Sequence, residues 1–321
     1  MAQTIVPEPK NTEIKSITAG DFAACFGEEL SPRTRAVAEA GDFRFFELTP
    51  DERDVCIRTI VEKFVDPAFD RSGAHRIDKW ERGWGENLAE LQAASGTDFA
   101  ATIRPKYFDK YDIVRFRGRF IKALASDFEY QMLRVILAWL FEKYLATAPT
   151  VYEFGCGTGH NLLWLREFNP GAKLVGLDWA VSSQEIIAEM VRRGILADAE
   201  GRRFDFFNPD KTLALEPDSA VYTVAALEQV GEESGKFLDY LLGQKPSVVV
   251  HVEPMAEFFD PQNPLDALAI TYYKKRNWLW GLLTNLRKLE SEEKIEILEA
   301  RRTHLGHLLT DGYSVVVWRP K

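Results

Sequence analysis

Cysteine is scarce in this chain, and its placement suggests no bridge. The three thiols, Cys25, Cys56 and Cys156, are odd in number and lack the paired spacing of a metal site. Cys156 lies within a glycine turn, where a disulfide partner is hard to seat. The expectation is a reduced, cytoplasmic protein without a metal centre. Long apolar runs are missing too. No stretch approaches the roughly 20 uncharged apolar residues of a membrane helix, so no membrane partner is expected. The N-terminal MAQTIVPEPKNTEIK has no apolar core after a basic start. It reads as a polar tail, loose or pinned on another surface, and not as a secretory signal. Positive charge is in deficit, with 40 Lys and Arg against 49 Asp and Glu, a net charge of -9 and a pI near 5.3. A protein that tracks a phosphate backbone normally has a basic balance, so nucleic acid is not the expected substrate. Internal repeats and low-complexity linkers are absent as well.

What is present is an ordinary globular composition, 46% hydrophobic and 28% charged. The chain is long enough for one large core or two smaller ones. Its character changes near Pro149. Residues 1–148 read as a mainly helical N-terminal cap or substrate region, and residues 149–321 as an α/β domain. Thr49-Pro50-Asp51-Glu52 is a helix start, with a threonine cap, proline at the first position and glutamate placed for a capping box. Ser31-Pro32 reads similarly. Phe128, Met132, Val135, Ile136, Trp139 and Leu140 recur at helical spacing, which predicts an amphipathic helix over 120–146. Beyond Pro149, strands are predicted at 151–154, 174–177, 203–207, 220–224 and 247–252. Helices are predicted at 161–167, 183–193, 236–242 and 264–289. Ser182 and Glu185 are placed for a capping box on the second of these, and Asn263 caps Pro264 on the last. Alternating strand and helix implies a doubly wound, mostly parallel sheet. The stretches 294–300 and 313–318 leave no room for a crossover helix, so they should form an antiparallel pair at the sheet edge.

The strongest local signal is Val151-Tyr152-Glu153-Phe154-Gly155-Cys156-Gly157-Thr158-Gly159-His160-Asn161. A strand runs into a turn with glycine at every second position and then into a helix. Glycine there permits unusual dihedrals and close approach of a ligand. The dinucleotide fingerprint G-x-G-x-x-G fails from either start, because its last position falls on His160 or on Leu162. The G-x-G-x-G form with Glu153 two residues ahead resembles motif I of the class I S-adenosylmethionine-dependent methyltransferases. The antiparallel last strand is also a habit of that family. The resemblance implies a cofactor site built from Glu153, Gly155, Gly157 and Gly159, with Glu153 toward the methionine end of S-adenosylmethionine. Asp178 ends the second strand, where a carboxylate can accept both ribose hydroxyls. Asp205 and Phe206 match the acid and apolar residue that meet adenine in the family. These elements cover residues 151–208, and the strand order extends the likeness to Lys321.

The acceptor is less legible. The pocket should lie beyond the fourth and fifth strands, at Ala225-Ala226-Leu227-Glu228-Gln229 and His251-Val252-Glu253-Pro254. The motif of methyltransferases acting on bases or glutamine is absent there; Asn208-Pro209-Asp210 resembles it faintly but follows the third strand. His251 and Glu253 share a strand face and are the candidate catalytic pair, with the acid fixing the imidazole tautomer. Glu228 is a candidate acceptor contact. His304 and His307 read as surface histidines. Arg115, Arg117 and Arg119 alternate along a predicted extended strand, so one side would carry all three guanidiniums. They are candidate grips for an anionic acceptor, with Lys274, Lys275 and Arg276 as the opposite wall. The sequence thus points to O- or N-methylation of a small molecule by direct displacement. The alternatives are a cofactor-binding regulatory protein without transferase activity, or a methyltransferase acting on a macromolecule.

Overall fold

The computed structural model describes residues 2–7, 9–95 and 99–321. Seven strands form the central sheet: β1 (Thr150–Phe154), β2 (Lys173–Asp178), β3 (Ala199–Arg203), β4 (Ala220–Val224), β5 (Val248–Glu253), β6 (Ile295–Arg302) and β7 (Ser314–Pro320). Their order is β3-β2-β1-β4-β5-β7-β6. All neighbours from β3 to β5 are parallel, while β7 runs antiparallel to both β5 and β6. β1, β4 and β5 are buried along their whole length, which is why they read as continuous apolar runs rather than alternating ones. The two faces still separate by the strand period of two. Val151, Leu174 and Val250 join one core, and Tyr152, Val175 and Val249 the other.

Sequence order reverses beside β1, whose neighbours are β2 and β4. A crevice opens there beyond the carboxyl ends of the strands, and such crevices hold ligands in open α/β sheets. The N-terminal region reaches over this edge. Helices at Ala19–Phe26, Pro32–Ala40, Pro50–Val65 and Ile77–Ala93 are joined by a second, five-stranded antiparallel sheet. Its order is Ile14–Ser16, Arg44–Glu47, Arg119–Ala123, Ile113–Phe116 and Leu305–His307. The last of these strands comes from the connection between β6 and β7, so the sheet draws on both ends of the chain. Phe22, Phe26, Phe43 and Trp84 pack into the same apolar core as Val151 and Leu174. The N-terminal tail is pinned: Ile5 and Val6 are buried, and the Ile5 N–H donates to Asp112 Oδ1 at 3.0 Å.

Three predicted elements differ from the observed ones. Residues 120–146 are not one helix: Arg119–Ala123 is a strand, Phe128–Leu140 a helix, and Phe141–Leu145 a π-turn that prolongs it. The cause is a two-residue hairpin at Arg117-Gly118, with φ of 50° and 74°. Positive φ at both central residues matches the right-handed twist of the flanking strands. The predicted helix over 264–289 is broken into Pro264–Arg276 and Leu282–Ser291, because Asn277 and Gly281 take left-handed dihedrals. The third strand ends at Arg203, and residues 204–207 lie in the loop beyond it. The capping box at Thr49/Glu52 and the Asn263 cap form as read.

Candidate functional site

The glycine turn folds back on the neighbouring strand. The N–H groups of Gly155 and Cys156 donate to the Leu177 carbonyl at 2.6 and 3.1 Å. Gly155, Gly157 and Gly159 have φ of 76°, 53° and 72°, conformations that cost an L-residue on the order of 1–2 kcal/mol each. Space is short as well. A Cβ on Gly155 would fall against the Cβ of Ala226, and one on Gly157 would sit 2.9 Å from the Trp84 ring. Gly159 caps the helix His160–Phe168 and lies behind the turn.

Beside this turn is a cavity of about 670 Å³, open solvent included. Of the cofactor-site residues singled out in the sequence, Gly155, Gly157, Asp178 and Phe206 line it, and Glu153, Gly159 and Asp205 do not. Asp178 is buried at the end of β2. Its Oδ2 accepts the Gly157 N–H and its Oδ1 the Ala180 N–H, both at 2.9 Å. Burial raises its pKa to about 6 against the lowering effect of those bonds. Glu153 lies deeper, receiving Asn161 Nδ2 at 2.7 Å and the Tyr222 hydroxyl at 2.9 Å. Burial pushes its carboxyl up to about 8. Asn161 lines the cavity, so Glu153 positions a lining residue and does not itself form the wall. Asp205 turns to its own loop, accepting the Phe207 N–H at 2.8 Å, while Phe206 forms the wall beside Phe207 and Trp179.

The opposite wall is aromatic and was not read from the sequence. Trp80 and Trp84 stack 5.2 Å apart on the helix Ile77–Ala93, and Tyr107 packs edge-on to both. The signal was available in the four-residue spacing of Arg76, Trp80 and Trp84, which places them on one helix face. Gln229 ties this helix to the loop after β4, accepting Arg76 Nη1 at 2.6 Å and Trp80 Nε1 at 3.3 Å. The helix is also joined to Val181–Arg192. Glu81 accepts the Val181 and Ser182 N–H groups there, displacing the expected Ser182/Glu185 box.

A second cavity of about 950 Å³, open solvent included, adjoins the first and shares Trp80, Tyr107 and Ala225 with it. Glu228 lines it, with a carboxyl raised to about 7 by burial. Arg76, Lys110, Arg276 and Glu129 are further charged groups of its wall, and of these only Arg276 was singled out in the sequence. His307, expected at the surface, lines it too, and burial lowers its pKa to about 3.

Other expectations are corrected by position. His251 and Glu253 share a face but are fully buried and line neither cavity. His251 Nδ1 pairs with the Thr223 hydroxyl at 2.9 Å, and burial lowers the ring to about 3. Glu253 Oε1 accepts the Ala226 and Leu227 N–H groups at 3.1 and 3.2 Å, which holds the loop after β4. Arg115, Arg117 and Arg119 do not form one face toward either cavity. The hairpin separates them: Arg115 is buried against the Leu265, Leu308 and Leu309 carbonyls, Arg117 pairs with Asp21 and Arg119 with Glu47. Among the described residues, no group of three or more His, Cys, Asp or Glu is arranged to hold a metal ion. Nor is any helix among them long and apolar enough to cross a membrane.

No protein-family model matches the chain, and no curated protein matches it in sequence. Solved structures do match. Magnesium protoporphyrin IX methyltransferase from Synechocystis PCC 6803, with bound SAH, is 12% identical over 77% of this chain and 99% of its own, with a TM-score of 0.50. Human N-acetylserotonin methyltransferase, in complex with SAM, is 12% identical over 93% of this chain and 74% of its own, at 0.45. The [4+2]-cyclase SpnF is 12% identical over 78% and 97%, at 0.47. The strand order, the single reversed strand and the first of these likenesses agree: the chain has the fold of the class I S-adenosylmethionine-dependent methyltransferases.

Proposed function

We propose that this chain is an S-adenosylmethionine-dependent methyltransferase acting on a small molecule, with the cofactor in the first cavity and the acceptor in the second. The observation that carries this reading is the junction of the two cavities at Trp80, Tyr107 and Ala225. A donor and an acceptor could meet there under an aromatic cover.

The residues of the first cavity suit such a cofactor. The turn leaves room that a Cβ at Gly155 or Gly157 would remove. Asp178 offers a buried carboxylate with acceptor capacity beyond its two backbone bonds. Phe206, Phe207 and Trp179 offer apolar ring surface for a purine. When bound, S-adenosylmethionine supplies a methyl group on an electrophilic sulfonium. The chain's own work is then to orient and to exclude water. Asp178 would hold the ribose, Glu153 would fix Asn161, and the Trp80–Trp84 pair would keep solvent from the junction. Orientation of two reactants in a dry site supplies a large share of such a barrier reduction.

The test is calorimetric titration with S-adenosylmethionine, S-adenosylhomocysteine and NAD, followed by incubation with a small-molecule extract. The expected result is binding of the first two, weak or no binding of NAD, and release of S-adenosylhomocysteine together with a metabolite heavier by one methyl. Cofactor binding without that release would favour a regulatory protein, and no binding would remove the reading.

A further inference from the structure

The second cavity gathers two guanidiniums, a lysine and two carboxylates in one wall: Arg76, Arg276, Lys110, Glu129 and Glu228. Arg76 is 5% exposed, and burial followed by the charge of Arg276 holds its guanidinium below the usual range. Asp70 lies 3.1 Å from Arg76 Nε but is shared with Lys79 at 2.7 Å. Arg276 is held by the Asp70 main-chain carbonyl. Arg76 is thus paired through Nε with Asp70 and through Nη1 with Gln229, whereas Arg276 Nε is buried without a hydrogen-bond partner among the described residues. Lys110 adds a third cation, lowered by burial and then by Arg276 and Lys79. Buried like charges are costly unless an anion sits among them, and planar guanidiniums match a carboxylate in pairs.

Two carboxylates line the same space: Glu129, whose Oε1 accepts the Tyr313 hydroxyl at 2.7 Å, and Glu228, which feels the charges of Arg276 and Arg76. Glu228 follows Ala225 by three residues, and Ala225 belongs to both cavities. Its Oε1 accepts Gln229 Nε2 at 2.8 Å, which orients the carboxyl. A cationic wall and an acidic group near the junction together describe a zwitterionic ligand.

We propose that the methyl acceptor is an amino acid or a closely similar aminocarboxylate, its carboxylate held by Arg76 and Arg276 and its amine by Glu228. This rests on the methyltransferase reading above. The Glu228 carboxylate takes one proton from the ammonium and frees the nitrogen lone pair. That lone pair forms the N–C bond as the C–S bond breaks, the bonding electrons staying on sulfur as a thioether. The product leaves as a methylammonium, and the proton on Glu228 returns to water.

The experiment offers the full-length protein and S-adenosylmethionine a panel of free α-amino acids, their carboxamides and their N-acetyl derivatives. S-adenosylhomocysteine formation and an added methyl are read by mass spectrometry. One or more free amino acids should turn over, with the carboxamide and the N-acetyl form of the same compound at least about tenfold poorer. Arg276→Gln should raise the acceptor KM on the order of a hundredfold with a smaller change in kcat. Glu228→Gln should instead lower kcat and flatten its pH profile. The panel itself needs no variant to fold. Carboxamides as good as the free acids, or no turnover of any member while calorimetry shows bound cofactor, overturns the proposal and leaves the cofactor reading standing. No cofactor binding at all overturns both.

Discussion

The Glu81 carboxylate caps a helix that begins 100 residues later, accepting the Val181 N–H at 2.6 Å and the Ser182 N–H at 3.0 Å. The Ser182 hydroxyl returns a bond to the Glu81 carbonyl at 3.1 Å. A helix of the N-terminal region is thereby tied to the element that follows Asp178. Glu81→Ala should cost about 1 kcal/mol as a lost cap and weaken S-adenosylmethionine binding as Trp84 loosens over the turn. Thermal unfolding and calorimetry check the two effects. An unchanged affinity in a destabilised variant would mean that the tie is structural alone.

Asp178 gives the cofactor prediction. Asp178→Ala should lower affinity by about 1.5–3 kcal/mol for each charge-assisted bond lost. Because burial raises its carboxyl to about 6, affinity of the wild-type protein should fall as pH drops through that value. A pH-independent Kd from neutral down to about pH 5 would exclude an ionised Asp178 from the contact.

Buried acids set the alkaline behaviour. Glu153 and Glu253 are raised to about 8, and Glu129 and Glu228 to about 7, chiefly by burial. A carboxyl raised in the fold contributes stability that is complete below its unfolded pKa and lost as pH rises through the folded value. His160, His251 and His307 are lowered to about 3 by burial, so their contribution is present above 6.5 and lost as pH falls below it. At 6.5 each of these histidines is still half protonated in the unfolded chain, but the four carboxyls together outweigh them, and from about pH 7.5 the histidines are neutral in both states. Tm should therefore fall between about pH 6.5 and pH 8.5, and Glu153→Gln should flatten that slope. A Tm rising over this window contradicts the assignment.

Gly157→Ala should be damaging out of proportion to one methyl. The left-handed φ costs on the order of 1–2 kcal/mol, and the Cβ must displace Trp84 as well. Loss of cofactor binding with a modest fall in Tm is expected. The double variant Gly157→Ala, Trp84→Ala should recover part of the stability if the steric account holds.

His251 lies behind the site, so His251→Ala should lower Tm through an internal cavity and leave kcat per folded molecule within about threefold. A hundredfold fall in kcat at unchanged Tm would restore it to the chemistry.

The glycine turn, Asp178, Phe206, the parallel strands and the reversed last strand were all legible in the sequence. Each depends on residues close in the chain: a dihedral only glycine adopts, an acid at a strand end, a run buried on both faces. The Arg117-Gly118 hairpin was legible in principle, but alternating arginines pointed to one straight strand, and a two-residue turn reverses which way each side chain faces. The acceptor cavity could not be read this way. Arg76, Lys110, Glu129, Glu228, Arg276 and His307 come from six separate segments. Arg76 at the start of the Ile77–Ala93 helix, Arg276 at the end of the Pro264–Arg276 helix and Glu228 in the loop after β4 meet only through packing, and Lys110, Glu129 and His307 are added from three further segments. Burial raises Glu228, encloses His251 and puts the Arg76 and Arg276 guanidiniums in one cavity wall. None of these effects exists until tertiary contacts remove the water.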